Sequence, residues 1–263
     1  FASGAGRTDV TDWSPGTAVR TTHWWLLLGG RARATGSTAP CPRCGTNLAA
    51  VRYNAQGQVD REATHDGSVH FYLYDARGRI TEHATFGPEF ASSTTRPALT
   101  SAQRVVRRQW HGTWNLPLRV AEPGRITTYR LNGQGQVISE LLTPTNDVTG
   151  AQGWSAPAAS PTSEWVRTYD STSRTLTSET LLKGGVQESR VDLTRATNGR
   201  ITAISHTDAS GTVSGQATYD GAGRLVDFLA NNGAQLKLEW TPEGRLVGIQ
   251  WPGRALRIDL NSR

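Results

Sequence analysis

A short motif recurs along this chain of 263 residues and limits its fold more than any other feature. It consists of an aromatic residue, a polar residue, two variable positions, glycine, arginine or glutamine, and an aliphatic residue. It reads Tyr53-Asn54-Ala55-Gln56-Gly57-Gln58-Val59 and then Tyr74-Asp75-Ala76-Arg77-Gly78-Arg79-Ile80. It returns as Tyr219-Asp220-Gly221-Ala222-Gly223-Arg224-Leu225 and as Trp240-Thr241-Pro242-Glu243-Gly244-Arg245-Leu246. Weaker copies run over 131–137, over 169–175 with Ser173 in the glycine's place, and over 195–201 with Arg195 in the aromatic's place. Gly57 and Gly78 are 21 residues apart, as are Gly223 and Gly244, with a second turn signal midway at Asp66-Gly67 and Asn231-Asn232-Gly233. A turn every ten or eleven residues means strand, tight turn and return strand, over and over.

The residues of the motif suit a hairpin turn. Glycine supplies the positive φ that other residues resist. Asp or Asn ahead of it can bond the backbone two residues on. Between turns, Leu236, Leu238 and Trp240 alternate with Gln235, Lys237 and Glu239, and Leu256, Ile258 and Leu260 alternate with Arg257 and Asp259. Period two gives one buried and one wet face. An apolar share of 36% and a charged share of 19%, with the balance in small polar residues and 28 glycines, agree with short strands and turns rather than helices. The fold class expected is all-β: repeated antiparallel β-hairpins forming a curled or spiral sheet, or a β-tube.

Tyr-Asp-x-x-Gly-Arg-Leu at 219–225 resembles the defining unit of the YD repeats in RHS and teneurin-like proteins. The stretch Gln109-Trp110-His111-Gly112-Thr113-Trp114-Asn115-Leu116-Pro117, followed by Glu122-Pro123-Gly124-Arg125, also resembles a segment of bacterial RHS chains. The likeness covers roughly residues 40–260. It implies a long hairpin sheet curling into a tube or shell, which in family members often encloses a toxin domain. The self-cleavage signature Asp-Pro-x-Gly-Leu of many members does not occur in this sequence, so neither autoproteolysis nor a toxin payload carries over.

Residues 1–40 read as an N-terminal arm, flexible over its first twelve residues, followed by the first strand or strands, among them Trp24-Trp25-Leu26-Leu27-Leu28. Residues 41–263 read as the repeat domain. Two stretches rich in Ser, Thr, Ala and Pro, 86–103 and 143–163, are expected to project from it as loops, either for recognition or as insertions tolerated at hairpin tips. The sequence contains no methionine, even at position 1, which is expected of a piece processed or excised from a longer product. The apolar run at Trp24 to Leu28 is too short to cross a bilayer, so no transmembrane segment is expected.

The sharpest local chemistry is Cys41-Pro42-Arg43-Cys44, the only cysteines present. Completed by His65 and His70 across the Asp66-Gly67 turn, they would make a tetrahedral zinc site. A local or intermolecular disulfide and free thiols are the competing states. Apart from that zinc, no cofactor is expected. His23, His83, His111 and His206 are scattered, Gly-x-Ser-x-Gly is absent, and Gly133-Gln134-Gly135 precedes no phosphate-binding helix, so no enzymatic activity is expected. The net charge is +6, but the arginines are dispersed and only Lys183 and Lys237 are lysines, which argues against nucleic acid as a partner.

The function expected is structural: a secreted or cell-surface tubular filament subunit, or a section of an RHS-type shell. Its partners would be further copies joined head to tail, or the rest of a longer RHS chain. The joining edges would be the strands holding Trp24 and Trp25 and Leu256, Ile258 and Leu260. The alternative is a glycan- or cell-surface-binding module using the two loops and exposed tryptophans such as Trp110 and Trp114.

Overall fold

The computed structural model describes residues 5–14, 17–28, 31–40 and 47–258; Cys41, Cys44 and Leu260 therefore lie outside the described residues. Apart from three short 3-10 turns, at Pro88–Phe90, Leu99–Ser101 and Gly153–Ser155, the regular elements are all strands. The all-β hairpin architecture is what the repeat spacing requires.

The chain divides into two compact units, the first made of 1–128 and 143–159, the second of 129–142 and 160–263. The first unit opens with a separate three-stranded sheet of β1 (Ala5–Ser14), β2 (Thr17–Leu28) and β3 (Arg31–Ser37). Much of the expected flexible arm is therefore strand: β1 pairs with β2 from Ala5↔Leu26 to Ser14↔Thr17. The expectation that Trp24 and Trp25 form an open edge is also corrected. They lie in β2, the middle strand, bonded to β1 on one side and to β3 on the other, so their backbone has no unpaired side to offer.

The hairpin series begins with β4 (Leu48–Tyr53), β5 (Val59–Thr64), β6 (Val69–Tyr74), β7 (Ile80–Phe86), β8 (Arg104–Trp110), β9 (Pro117–Glu122) and β10 (Arg125–Leu131). Each pairs antiparallel with the next. One face of this sheet carries the core: Val69 and Phe71 of β6, Ala84 and Phe86 of β7, and Val105 of β8, with Phe86, Val69 and Val105 fully buried.

The two stretches expected to project do the covering. Phe90, Leu99 and Ala102 from 86–103, and Ala151 from 143–163, pack onto that core. Phe86 meets Phe71 edge-on at 5.7 Å between centroids and Phe90 at 5.4 Å. The second stretch is stitched down by its backbone: the Val105 amide donates to Thr149 O (2.7 Å), Gly124 to Asp147 O (2.8 Å) and Thr145 to Gly124 O (2.7 Å). Buried Asp147 caps the turn from within, accepting the amides of Gly150 (2.9 Å) and Gln152 (2.8 Å). These segments lie flat because their few apolar side chains find a half-covered sheet face to bury against.

The second unit holds β11 (Val137–Pro144) up to Leu142, β12 (Ser163–Tyr169), β13 (Leu176–Lys183), β14 (Val186–Arg195), β15 (Ile201–Asp208), β16 (Gly211–Tyr219), β17 (Leu225–Ala230), β18 (Gln235–Trp240), β19 (Leu246–Trp251) and β20 (Arg254–Arg257). Each pairs antiparallel with the next. The alternation expected over β18 is present, with Leu236, Leu238 and Trp240 half-buried and Lys237 and Glu239 exposed. In β20 it is not: Leu256 is as open as its neighbours Ala255 and Arg257, because within its unit the strand packs only along β19.

Candidate functional site

The motif residues build the same turn at 53–59, 74–80, 131–137 and 219–225. At 74–80 the Asp75 amide donates to Arg79 O (3.0 Å) and the Gly78 amide to Asp75 O (3.0 Å). Asp75 Oδ1 accepts the amides of Arg77 (2.9 Å) and Arg79 (3.0 Å). Asp220 repeats this at the second unit's turn, accepting Arg224 N at 2.9 Å, while Asn54 and Asn132 do so with a neutral side chain. These backbone bonds, reinforced by the neighbouring arginine, hold the Asp75 and Asp220 carboxyls below their ordinary acid range.

The aromatic that opens the motif sits at a register shift in the ladder. This is so for Tyr53, Tyr74, Tyr169, Tyr219 and Trp240. Such a bulge turns a side chain out of the regular alternation. In four of the five it aims the ring's donor at the preceding repeat, whereas Tyr53 Oη donates to Ala34 O of β3 (2.7 Å). Tyr74 Oη donates to Val59 O (2.6 Å), Tyr169 Oη to Val137 O (3.0 Å), Tyr219 Oη to Ile201 O (2.7 Å) and Trp240 Nε1 to Leu225 O (2.7 Å). Each acceptor is the carbonyl of the aliphatic residue that ended the motif before. A phenylalanine could not make this bond, and none opens a motif.

The residue after the glycine reaches the other way. Arg224 lies over the Trp240 ring (5.9 Å) and donates to Thr241 O (2.6 Å). Arg79 lies over Trp110 (5.4 Å) and donates to His111 O (3.0 Å); Arg200 lies over Tyr219 (5.6 Å). Gln136 donates to Arg174 O at 2.7 Å. Glycine is required at these turns by its positive φ, 78° at Gly78 and 83° at Gly223. The reaching side chains also lie close: a Cβ on Gly78 would stand 2.7 Å from Gln58 Nε2 and one on Gly223 1.7 Å from Arg200 Nη2, so the end of each flexible side chain would have to shift. The motif is thus a two-way clasp between successive hairpins, made of one backward donor and one forward cation or amide.

Three departures from the sequence pattern are informative. Trp110 occupies an aromatic place that motif matching missed: it sits at a register shift and its Nε1 donates to Ile80 O (2.8 Å). His111 then acts as the turn's cap, its Nδ1 accepting the amides of Thr113 (3.0 Å) and Trp114 (3.2 Å). The signal available was an aromatic followed by a side-chain acceptor, without the glycine. Trp110 and Trp114 are accordingly engaged within the fold, the latter against the His111 ring at 4.4 Å. In the 169 turn the loop is one residue longer, and Arg174, not Ser173, takes the positive φ of 59°. Arg195 replaces an aromatic yet keeps a donor in its place, pointing Nε at Leu176 O from 3.5 Å.

The structure gives the two described members of the expected metal set separate partners. His65 Nε2 lies 3.1 Å from Ser37 Oγ, while His70 Nδ1 lies 3.1 Å from His83 Nε2. Among the described residues no three His, Cys, Asp or Glu side chains converge as a metal site, and no helix is long and apolar enough to cross a membrane.

No protein-family profile and no curated protein matches the sequence. Among solved structures the chain is similar to a TcdB2-TccC3 crystal structure, with a TM-score of 0.46 and 14% identity over 94% of this chain. It is also similar to TcdB2-TccC3 without its hypervariable C-terminal region (TM-score 0.44, 13% identity, 94% of this chain and 15% of that chain). A porin-like protein from Bacteroides uniformis aligns with a TM-score of 0.36 and 12% identity over 72% of this chain and 83% of that one. The chain spans 15% of the length of the TcdB2-TccC3 chain to which it is similar.

Proposed function

We propose that this chain is wall material: an RHS-type YD-repeat element that forms part of a tubular fibre or hollow shell outside the cell or at its surface, and that it is not an enzyme. The clasp carries this reading. The polar atoms of the motif are spent on closing its own turn and on the backbone of the neighbouring hairpin, so the recurring chemistry serves cohesion within and between repeats. A unit that donates backward and reaches forward can be added without limit, which is the logic of quasi-one-dimensional repeat proteins. Degenerate repeats that keep a donor, as at Arg195, fit the same purpose. Joining to further hairpins, of a second copy or of the same longer chain, would run through β20, whose Leu256 is half exposed.

Negative-stain electron microscopy of the native protein tests this. Filaments or hollow shells with a wall one sheet thick are expected, and deletion of 256–263 should abolish any filaments. Solid, compact particles without a lumen would overturn the proposal.

A further inference from the structure

On the face of β5–β7 opposite the core, a compact cluster is left unused by the clasp. Glu62 of β5 pairs with His70 of β6, which pairs with Thr85 of β7; one step along, Tyr72 pairs with His83. His70 Nδ1 lies 3.1 Å from His83 Nε2 and 3.1 Å from Thr85 Oγ1. His70 Nδ1 thus has a second imidazole nitrogen and a hydroxyl oxygen within reach, both from the neighbouring strand. We propose that His70 and His83, with the Thr85 hydroxyl, form a binding site for one divalent transition-metal ion of the imidazole-preferring class, such as Zn2+ or Ni2+, which staples β6 to β7.

The spacing is what two imidazoles on one ion require. Zn–N bonds of about 2.0–2.1 Å at a tetrahedral angle put the two nitrogens roughly 3.3 Å apart. Replacing the shared hydrogen bond by an ion therefore needs only a small opening. The rings are held in place beforehand: His83 stacks on Tyr72 at 4.6 Å and 14°, and Tyr72 Oη donates to Glu62 Oε2 at 2.7 Å. That bond fixes the stacking partner in the manner of an outer-shell support and keeps a carboxylate beside the site. Arg108 and Arg104 are the cations whose charge reaches His83. Of the two arginines, Arg104 is engaged with Glu122 at 3.3 Å. Two imidazoles and a hydroxyl leave room for water in the remaining coordination position. This site differs from the Cys41, Cys44, His65 and His70 set, sharing only His70, and is independent of the wall reading.

The test titrates Zn2+ and Ni2+ into the full chain, the C41S/C44S variant, H83Q and H65Q, using a competing chromophoric chelator and thermal shift. One equivalent should bind the wild type, C41S/C44S and H65Q alike and raise the melting point. H83Q should lose more than roughly tenfold in affinity, the least that loss of even an outer partner of a metal ligand costs. No binding, binding that survives H83Q, or binding lost in C41S/C44S would overturn the proposal. Should H83Q fail to fold, protection of His70 and His83 from diethylpyrocarbonate by Zn2+ decides instead. Unprotected histidines would be equally fatal to it.

Discussion

The two units are built from one repeat yet are held together differently. In the first, every hairpin from β5 to β8 contributes to a core closed over by the stretches 86–103 and 143–159. In the second, the same hairpins run on with no such cover. Among the described residues every buried apolar side chain belongs to the first unit, whereas the buried side chains of the second are only Ser139 and Ser178. The clasp is common to both. What differs is whether the chain has interrupted its repeat to lay something over the sheet. The repeat alone supplies pairing and cohesion between neighbours; burial comes from the interruptions.

The largest effect should come from removing a ring at that cover. Phe86→Ala empties a fully buried site between Phe71 and Phe90 and should cost about 3–5 kcal/mol. Phe228→Ala in the second unit removes a ring that is only half-buried over Gly215, and should cost much less. Urea unfolding of the two variants measures the contrast. Equal losses would mean that the second unit is as well covered as the first.

Next in size is Asp147→Ala. The carboxylate sits buried beneath 143–159 and accepts the amides of Gly150 and Gln152. Losing charge-assisted bonds to buried amides should cost about 2–3 kcal/mol, with faster hydrogen exchange at Val105, whose amide bonds Thr149. Asp170→Ala, at an exposed turn of the second unit, should stay well below that. Val105 exchange unchanged in Asp147→Ala would show that the cover holds without its cap.

The clasp predicts sameness where the core predicts difference. Tyr74→Phe in the first unit and Tyr219→Phe in the second each delete one hydroxyl bonded to the preceding repeat's carbonyl. Each should cost about 1 kcal/mol, and the two values should agree. A loss confined to one unit would tie that bond to the cover rather than to the repeat.

Much of this was legible in the sequence because the motif is local. Glycine, an acceptor ahead of it and an aromatic at a fixed offset specify a turn through backbone geometry alone, so Gly57, Gly78, Gly223 and Gly244 marked their hairpins directly. The partners of the motif were not legible. That Arg224 would lie over Trp240, or that Tyr219 would reach Ile201, depends on which hairpin comes to lie beside which, and on a bulge that no residue type announces. The covering stretches were misread for a related reason: their Ser, Thr and Pro content reports the absence of regular structure, while Phe90, Leu99 and Ala102, spaced irregularly, carry the burial. Trp110 was overlooked as a repeat because His111 caps its turn where Asp or Asn does elsewhere. His83 entered no candidate set, since its nearness to His70 is a diagonal across two strands and not a spacing in the chain.

The smallest effect separates two kinds of turn within the common clasp. Where the cap is Asn, the fourth residue on is Gln: Asn54 Nδ2 donates to Gln58 Oε1 and Asn132 Nδ2 to Gln136 Oε1, both at 2.9 Å. Where the cap is Asp, it is Arg: Arg79 Nε donates to Asp75 Oδ2 at 2.8 Å and Arg224 Nε to Asp220 Oδ2 at 2.7 Å. The caps and their partners are matched, neutral with neutral and charged with charged. Asp75→Asn turns an amide donor toward the Arg79 guanidinium and should destabilise slightly; adding Arg79→Gln rebuilds the 54–58 pairing and should restore the loss. The charged turns are also acid-sensitive. Because the Asp75 and Asp220 carboxyls have folded values below their unfolded one of 3.8, their contribution is complete above that value and is lost as pH falls through the folded ones. Melting curves between pH 5 and about 2 should therefore fall less steeply for the Asp75→Asn/Arg79→Gln variant than for the wild type. Identical slopes would mean that the ion pair adds nothing to a turn the backbone already closes, leaving Asp and Asn interchangeable as caps.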